Sequence, residues 1–111
     1  MIKKVKRVFD SSNMNWTPYP EYNKTFLKVL QSQFTDRLQT KGYVYLNEVL
    51  DSLGFEETFE GQMLGWVYNP NDPAKANHVD FGVSNYEEES ITLELNIDST
   101  VLTERFFERM D

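Results

Sequence analysis

The 111-residue chain has no cysteine. That excludes disulfides and thiolate metal sites and points to a reducing compartment, the cytoplasm. Long hydrophobic runs are missing too, and no stretch approaches the roughly 20 apolar residues of a membrane-spanning helix. The leading Met1-Ile2-Lys3-Lys4-Val5-Lys6-Arg7 has the charged start of a secretion signal without the apolar run that completes one. The sequons Asn15-Trp16-Thr17 and Asn23-Lys24-Thr25 are therefore without a secretory context. Glycine occurs five times, at 42, 54, 61, 65 and 82, and the spacing matches no phosphate-cradling loop. Histidine occurs once. These absences lead to the expectation of a cytoplasmic protein with no membrane partner and no cofactor.

What is present is the composition of a folded domain. Hydrophobic residues make up 40% and aromatic residues 14% of the chain, against the low hydrophobicity of disordered acidic tails. The length suits one modest core. The net charge of −7 is unevenly spread. Residues 1–43 carry eight basic and three acidic side chains, whereas residues 44–111 carry three basic and fifteen acidic ones. Such polarity bears on partners and association rather than on fold.

Residues 1–20 read as a poorly patterned basic lead, in which Val5, Val8 and Phe9 form at most a short strand. Residues 21–111 read as a single domain. From Glu21 to Lys41 the pattern is helical: Tyr22, Phe26, Leu30, Phe34 and Leu38 recur every fourth residue, widened by Leu27 and Val29. Gly42 supplies the stop. A second helix over 45–53 carries Leu46, Val49, Leu50 and Leu53 on one face, with Gly54 beyond its end. Residues 55–62 read as a connector with a helical turn near Thr58.

Three strands are expected next, over 63–68, 79–83 and 91–97. The last alternates strictly, with Ile91, Leu93, Leu95 and Ile97 on one side and Thr92, Glu94, Asn96 and Asp98 on the other. A final helix capped by Ser99 or Thr100 turns Val101, Leu102 and Phe106 inward. The expected class is α+β: two helices, a three-stranded antiparallel meander with helices on one face, and a C-terminal helix.

The run Tyr45-Leu46-Asn47-Glu48-Val49-Leu50-Asp51-Ser52-Leu53-Gly54 is followed by Gly61-Gln62-Met63-Leu64-Gly65-Trp66-Val67-Tyr68, then by Asp80-Phe81-Gly82 and Leu95-Asn96-Ile97-Asp98. Together these resemble an uncharacterised family of small domains found in phages and Firmicutes. The resemblance covers roughly residues 43–98. It implies a protein of phage or prophage origin and carries over no catalytic or binding residue.

His78 and Asp80 are placed to share one strand face and could orient an imidazole or offer two metal ligands. No nucleophile or further ligand accompanies them, and a loop-end histidine is the plainer reading. Asn69, Asn71, Asp72 and Asn77 offer oxygens to a hard cation, but the spacing, glycine and terminal glutamate of a calcium loop are missing. Asp80-Phe81-Gly82 spells a kinase triplet in a chain without the other kinase elements. Glu56, Glu57 and Glu60 and then Glu87, Glu88 and Glu89 form acidic loop clusters, of the kind that provide solubility or meet a basic surface. Glu94 and Asp98 extend the second cluster, and Trp16 and Tyr19 are candidate aromatic anchors.

The sequence therefore leads to a non-catalytic interaction module. It would bind a protein partner, basic in character, through an acidic surface formed by Glu87, Glu88, Glu89, Glu94 and Asp98, with Trp16 and Tyr19 as anchors. A second copy of the chain is a further candidate partner, and direct binding to nucleic acid is not expected. An acidic inhibitor mimicking nucleic acid is the alternative, and a small hydrolase using His78 and Asp80 ranks last.

Overall fold

The computed structural model describes residues 4–84 and 89–104. Strand β1 (Val5–Asp10) opens the chain and is followed by helix α1 (Pro20–Lys41), strand β2 (Tyr43–Tyr45) and helix α2 (Leu46–Leu53). A 3-10 turn at Glu60–Gln62 leads into β3 (Leu64–Val67), then β4 (Ser90–Leu95) and β5 (Ser99–Thr100). Residues 101–104 are helical. The α+β class holds, with two antiparallel sheets ordered β1-β4 and β2-β3-β5.

Local chemistry fixes the helix ends. Pro20 starts α1, where its missing N–H costs nothing, and Gly42 ends it at φ 96°, donating its N–H to the Leu38 carbonyl. Tyr45 precedes α2 and lacks a capping oxygen suited to the role. Glu48 reaches back instead, its Oε2 accepting from the Tyr45 N–H at 2.8 Å, half of a capping box.

The every-fourth-residue stripe of α1 does not all enter the core. Leu27, Phe34 and Leu38 are buried, but Tyr22 is 70% and Val29 49% exposed. A four-residue step overshoots a turn, so between Tyr22 and Leu38 such a stripe swings about 160° around the helix. Its first member consequently lies on another face from its last. Similarly, Val101 is buried while Leu102 is 51% exposed, so only the first of the two faces inward. Phe106 lies outside the described residues.

The expected meander is redistributed between the sheets. The strands expected over 63–68 and 91–97 form over 64–67 and 90–95 but in different sheets, and β4 pairs with β1 from the lead, Phe9 opposite Ile91 and Val5 opposite Leu95. Phe9 is fully buried. Asp10 closes β1: the Ser12 hydroxyl and then its N–H bond the carboxylate, holding its pKa below the usual 3.8. That contact is present above the unfolded pKa and is lost as pH falls through the folded one.

The segment 79–83 lies against β4 as expected but is not a regular strand. Ser84 and Thr92 exchange both backbone bonds, and Asn96 donates to the Asp80 carbonyl, a matching antiparallel register. Between them Glu94 donates to Phe81 rather than to Gly82. Gly82, at φ 56°, forms a bulge that breaks the ladder. A Cβ there would lie 2.2 Å from the Glu94 carbonyl oxygen.

The core joins both sheets to α1 and α2 through Phe9, Leu27, Phe34, Leu38, Trp66, Phe81 and the inward residues of β4. Gly82→Ala combines backbone strain with that close approach and is expected to cost about 2–4 kcal/mol. Gly42→Ala, at φ 96° with open space around it, should cost about 1–2 kcal/mol from strain alone. Urea midpoints of the two variants measure the difference; equal losses would show that the Glu94 carbonyl does not require the glycine.

Candidate interaction surface

The acidic candidates divide once their partners are known. Glu94 stands on the solvent side of β4 and pairs with Lys4 at 3.2 Å. Asp98 accepts from the Ala76 N–H at 2.9 Å and the Ser99 hydroxyl at 2.7 Å, tying the 69–78 loop to β5. Lys75 completes that tie, its ammonium 2.7 Å from Ser99 Oγ and 2.8 Å from Glu104 Oε1. Glu89 is exposed, and Glu87 and Glu88 lie outside the described residues. Of the expected acidic surface, two members thus serve contacts within the chain.

His78 and Asp80 are each engaged by the nearby backbone. The imidazole Nδ1 lies 2.9 Å from the Ala76 carbonyl, while the Asp80 carboxylate accepts the Gly82 N–H at 2.8 Å. Among the described residues no group of three His, Asp or Glu side chains is placed to hold a metal ion, and no helix is long and apolar enough to cross a membrane. Asn69, Asp72 and Asn77 spend their side-chain oxygens on backbone N–H groups of their own loop.

The aromatic pair also separates. Trp16 is half-buried, its ring edge-on to Phe9 at 5.4 Å, and so helps close the core. Tyr19 is 65% exposed and lies 6.4 Å from Tyr22. From there the apolar surface continues along α1 through Phe26, Val29 and Leu30. With Thr25 and Gln33 these residues line an open depression of about 390 Å³. Phe26 stacks on Phe9 at 5.8 Å, which sets this flank of the helix above β1.

A polar residue unmarked in the sequence holds the two sheets together. Asn96 Oδ1 accepts from the Trp66 indole N–H and from the Asp80 N–H, both at 2.8 Å. Its Nδ2 donates to the His78 carbonyl at 3.2 Å. Alternation placed Asn96 among the outward residues of the last strand. The available signal was a fully buried Trp, whose lone N–H needs an acceptor.

The lead, both sheets and the start of the last helix form one connected unit, and the matching family spans the same extent. The profile of the family of unknown function DUF6353 matches residues 1–104. The chain belongs to this family. The match is wider than the 43–98 resemblance and takes in the lead that supplies β1. Neither the curated proteins nor the solved structures contain a match to the DUF6353 chain.

Replacing Asn96 by Leu strands two donors, the buried Trp66 N–H and the Asp80 N–H, and is expected to cost about 2–4 kcal/mol. Asn96→Asp keeps both acceptor contacts and should cost less. Chemical unfolding followed by tryptophan fluorescence measures both, and equal costs would remove the acceptor role.

Proposed function

We propose that this DUF6353 protein is a non-catalytic protein-interaction module acting in the cytoplasm. Its contact surface is the exposed flank of α1, with Tyr19, Tyr22 and Val29 as anchors. The observation that carries the reading is the contiguous apolar strip from Tyr19 to Leu30 on a chain with ample polar surface. Scattered exposed hydrophobics are ordinary, whereas a contiguous patch marks a contact site. Tyrosine suits such sites because it buries a large area and keeps a polar tip.

The acidic route has less support. A nucleic-acid mimic needs carboxylates displayed toward the partner, and Glu94 and Asp98 are spent on Lys4, Ala76 and Ser99. Of the remaining carboxylates, Glu89 is exposed before β4.

A photo-reactive phenylalanine analogue placed at Tyr22 should form adducts with a partner in cells, while the same probe at Glu89 should form few. Val29→Glu, which is already 49% exposed, should leave thermal stability within about 0.5 kcal/mol and weaken partner retention at least about tenfold, or roughly 1.4 kcal/mol. Adducts concentrated at position 89, with retention abolished by salt, would transfer the contact surface to the acidic loop.

A further inference from the structure

The layer containing β4 has two sides, and the chain fills only one of them among the described residues. Thr92 exchanges both backbone bonds with Ser84, and Glu94 and Asn96 donate to Phe81 and Asp80. The even-numbered residues of β4 therefore serve the 79–84 segment, leaving Ile91, Leu93 and Leu95 to serve β1. Their register partners are Phe9, Arg7 and Val5. In an antiparallel ladder the intervening residues point their backbone groups the other way, so Lys6 and Val8 direct N–H and C=O groups away from β4. Among the described residues the Asp10 carbonyl on that edge is taken by the Asn13 N–H, and the only partner of the Lys6 and Val8 groups is the Arg7 guanidinium, 2.8 Å from the Lys6 carbonyl.

The opposite side shows what a strand position beneath α1 looks like when occupied. Thr35 Oγ1 bonds both the N–H and the carbonyl of Val79, Gln31 accepts from the Phe81 N–H, and Gln39 donates to the Asn77 carbonyl. Gln33 sits two residues from both Gln31 and Thr35, about 200° around the helix from each. It lies with Tyr22, Phe26, Val29 and Leu30 around the apolar depression, on the β1 side of α1. A strand added beyond β1 would lie beneath this flank, which Phe26 sets against Phe9.

We propose that the open edge of β1, beside the apolar flank of α1, binds an extended, acidic segment of another protein by strand addition. The segment's backbone pairs with Lys6 and Val8. Alternate apolar side chains enter the depression lined by Tyr22, Phe26, Val29 and Leu30, and carboxylates on the segment's other face meet Lys6, while Arg7, on the Phe9 face of β1, reaches the edge through its bond to the Lys6 carbonyl. Strand addition takes affinity from main-chain bonds and specificity from alternate side-chain pockets. Charge selects the occupant. Among the described residues neither Lys6 nor Arg7 forms an ion pair, and Glu94, which stands opposite Lys6 in register, pairs with Lys4 instead, so the edge favours an acidic strand and disfavours a second copy of this basic one. This mode rests on the α1 contact surface proposed above and specifies its partner.

The probe is a short synthetic peptide alternating Glu with Val, Ile or Tyr, titrated into the full chain and followed by amide NMR. Binding should slow exchange of the Lys6 and Val8 amides and shift signals of Val29 and Tyr22. Val8→Pro removes an outward N–H at an edge position, where proline is tolerated, and should weaken binding at least tenfold. A peptide N-methylated on the pairing edge should show a similar loss, and a Lys-for-Glu peptide should bind at least tenfold more weakly.

Equal binding to the parent chain and to folded Val8→Pro, or no binding of the acidic peptide, would overturn strand addition. Concentration-dependent dimerisation abolished by Val8→Pro would assign the edge to a second copy and overturn the acidic segment. A cellular partner lost with Val29→Glu but retained by Val8→Pro would leave the α1 contact surface standing and remove only this mode. Loss of neither would remove both.

Discussion

The fold depends on a segment that is sheet on one side and helix-bound on the other. Residues 77–81 present alternate backbone groups to Gln31, Thr35 and Gln39 of α1, while Asp80 and Phe81 receive bonds from β4. Two repeats make this possible. Four helical residues rise about 6 Å, and two extended residues advance about 6.6–6.8 Å. Side chains at i, i+4 and i+8 can therefore follow alternate residues of an extended chain over two steps before the repeats drift apart. Beyond that span Gly82 bends the segment, and it returns to plain strand pairing at Ser84.

Asn96 makes that local match a property of the whole molecule. Its amide oxygen receives the Trp66 indole from one sheet and the Asp80 N–H from the segment beside the other. Trp66 is fully buried on β3, opposite Val44 of β2, so its position is set by the second sheet and read out by the first. The 69–78 loop, held through Asp98, Lys75 and Ser99, brings the chain to this junction at the required height. The two sheets are thereby kept in one relation to α1, leaving the Tyr22–Leu30 flank directed over β1.

This division explains which features were legible in the sequence. The ends and core face of α2, and the ends of α1, are local: proline, glycine and apolar spacing specify them without reference to the rest of the chain. The alternation of β4 is local as well. The polar residues at 31, 35 and 39 have the spacing of a solvent-facing helix row, and nothing in one sequence tells such a row from one that binds backbone. Nor does alternation tell Asn96 from Thr92. Pairing of β4 with β1 joins residues 80 to 90 positions apart, with a weakly patterned partner. The exposed aromatic flank was hidden for a different reason, because the four-residue stripe appears continuous in sequence while rotating out of the core in space.

The charge imbalance acquires a physical meaning from the same arrangement. The basic lead and acidic body are not separate surfaces, because β1 lies directly against β4 and Lys4 pairs with Glu94. Arg37 meets Glu48 across α1 and α2, and Lys75 meets Glu104. What remains at the sheet edge is Lys6 and Arg7. Lysine and arginine on an edge strand discourage indiscriminate pairing, since another basic strand brought alongside would be repelled. The Arg7 guanidinium on the Lys6 carbonyl adds a removable cover to one of the edge's few open acceptors. An edge so guarded is closed to its own kind and open to a strand carrying carboxylates, so the same two charges that protect the fold also define what it can accept.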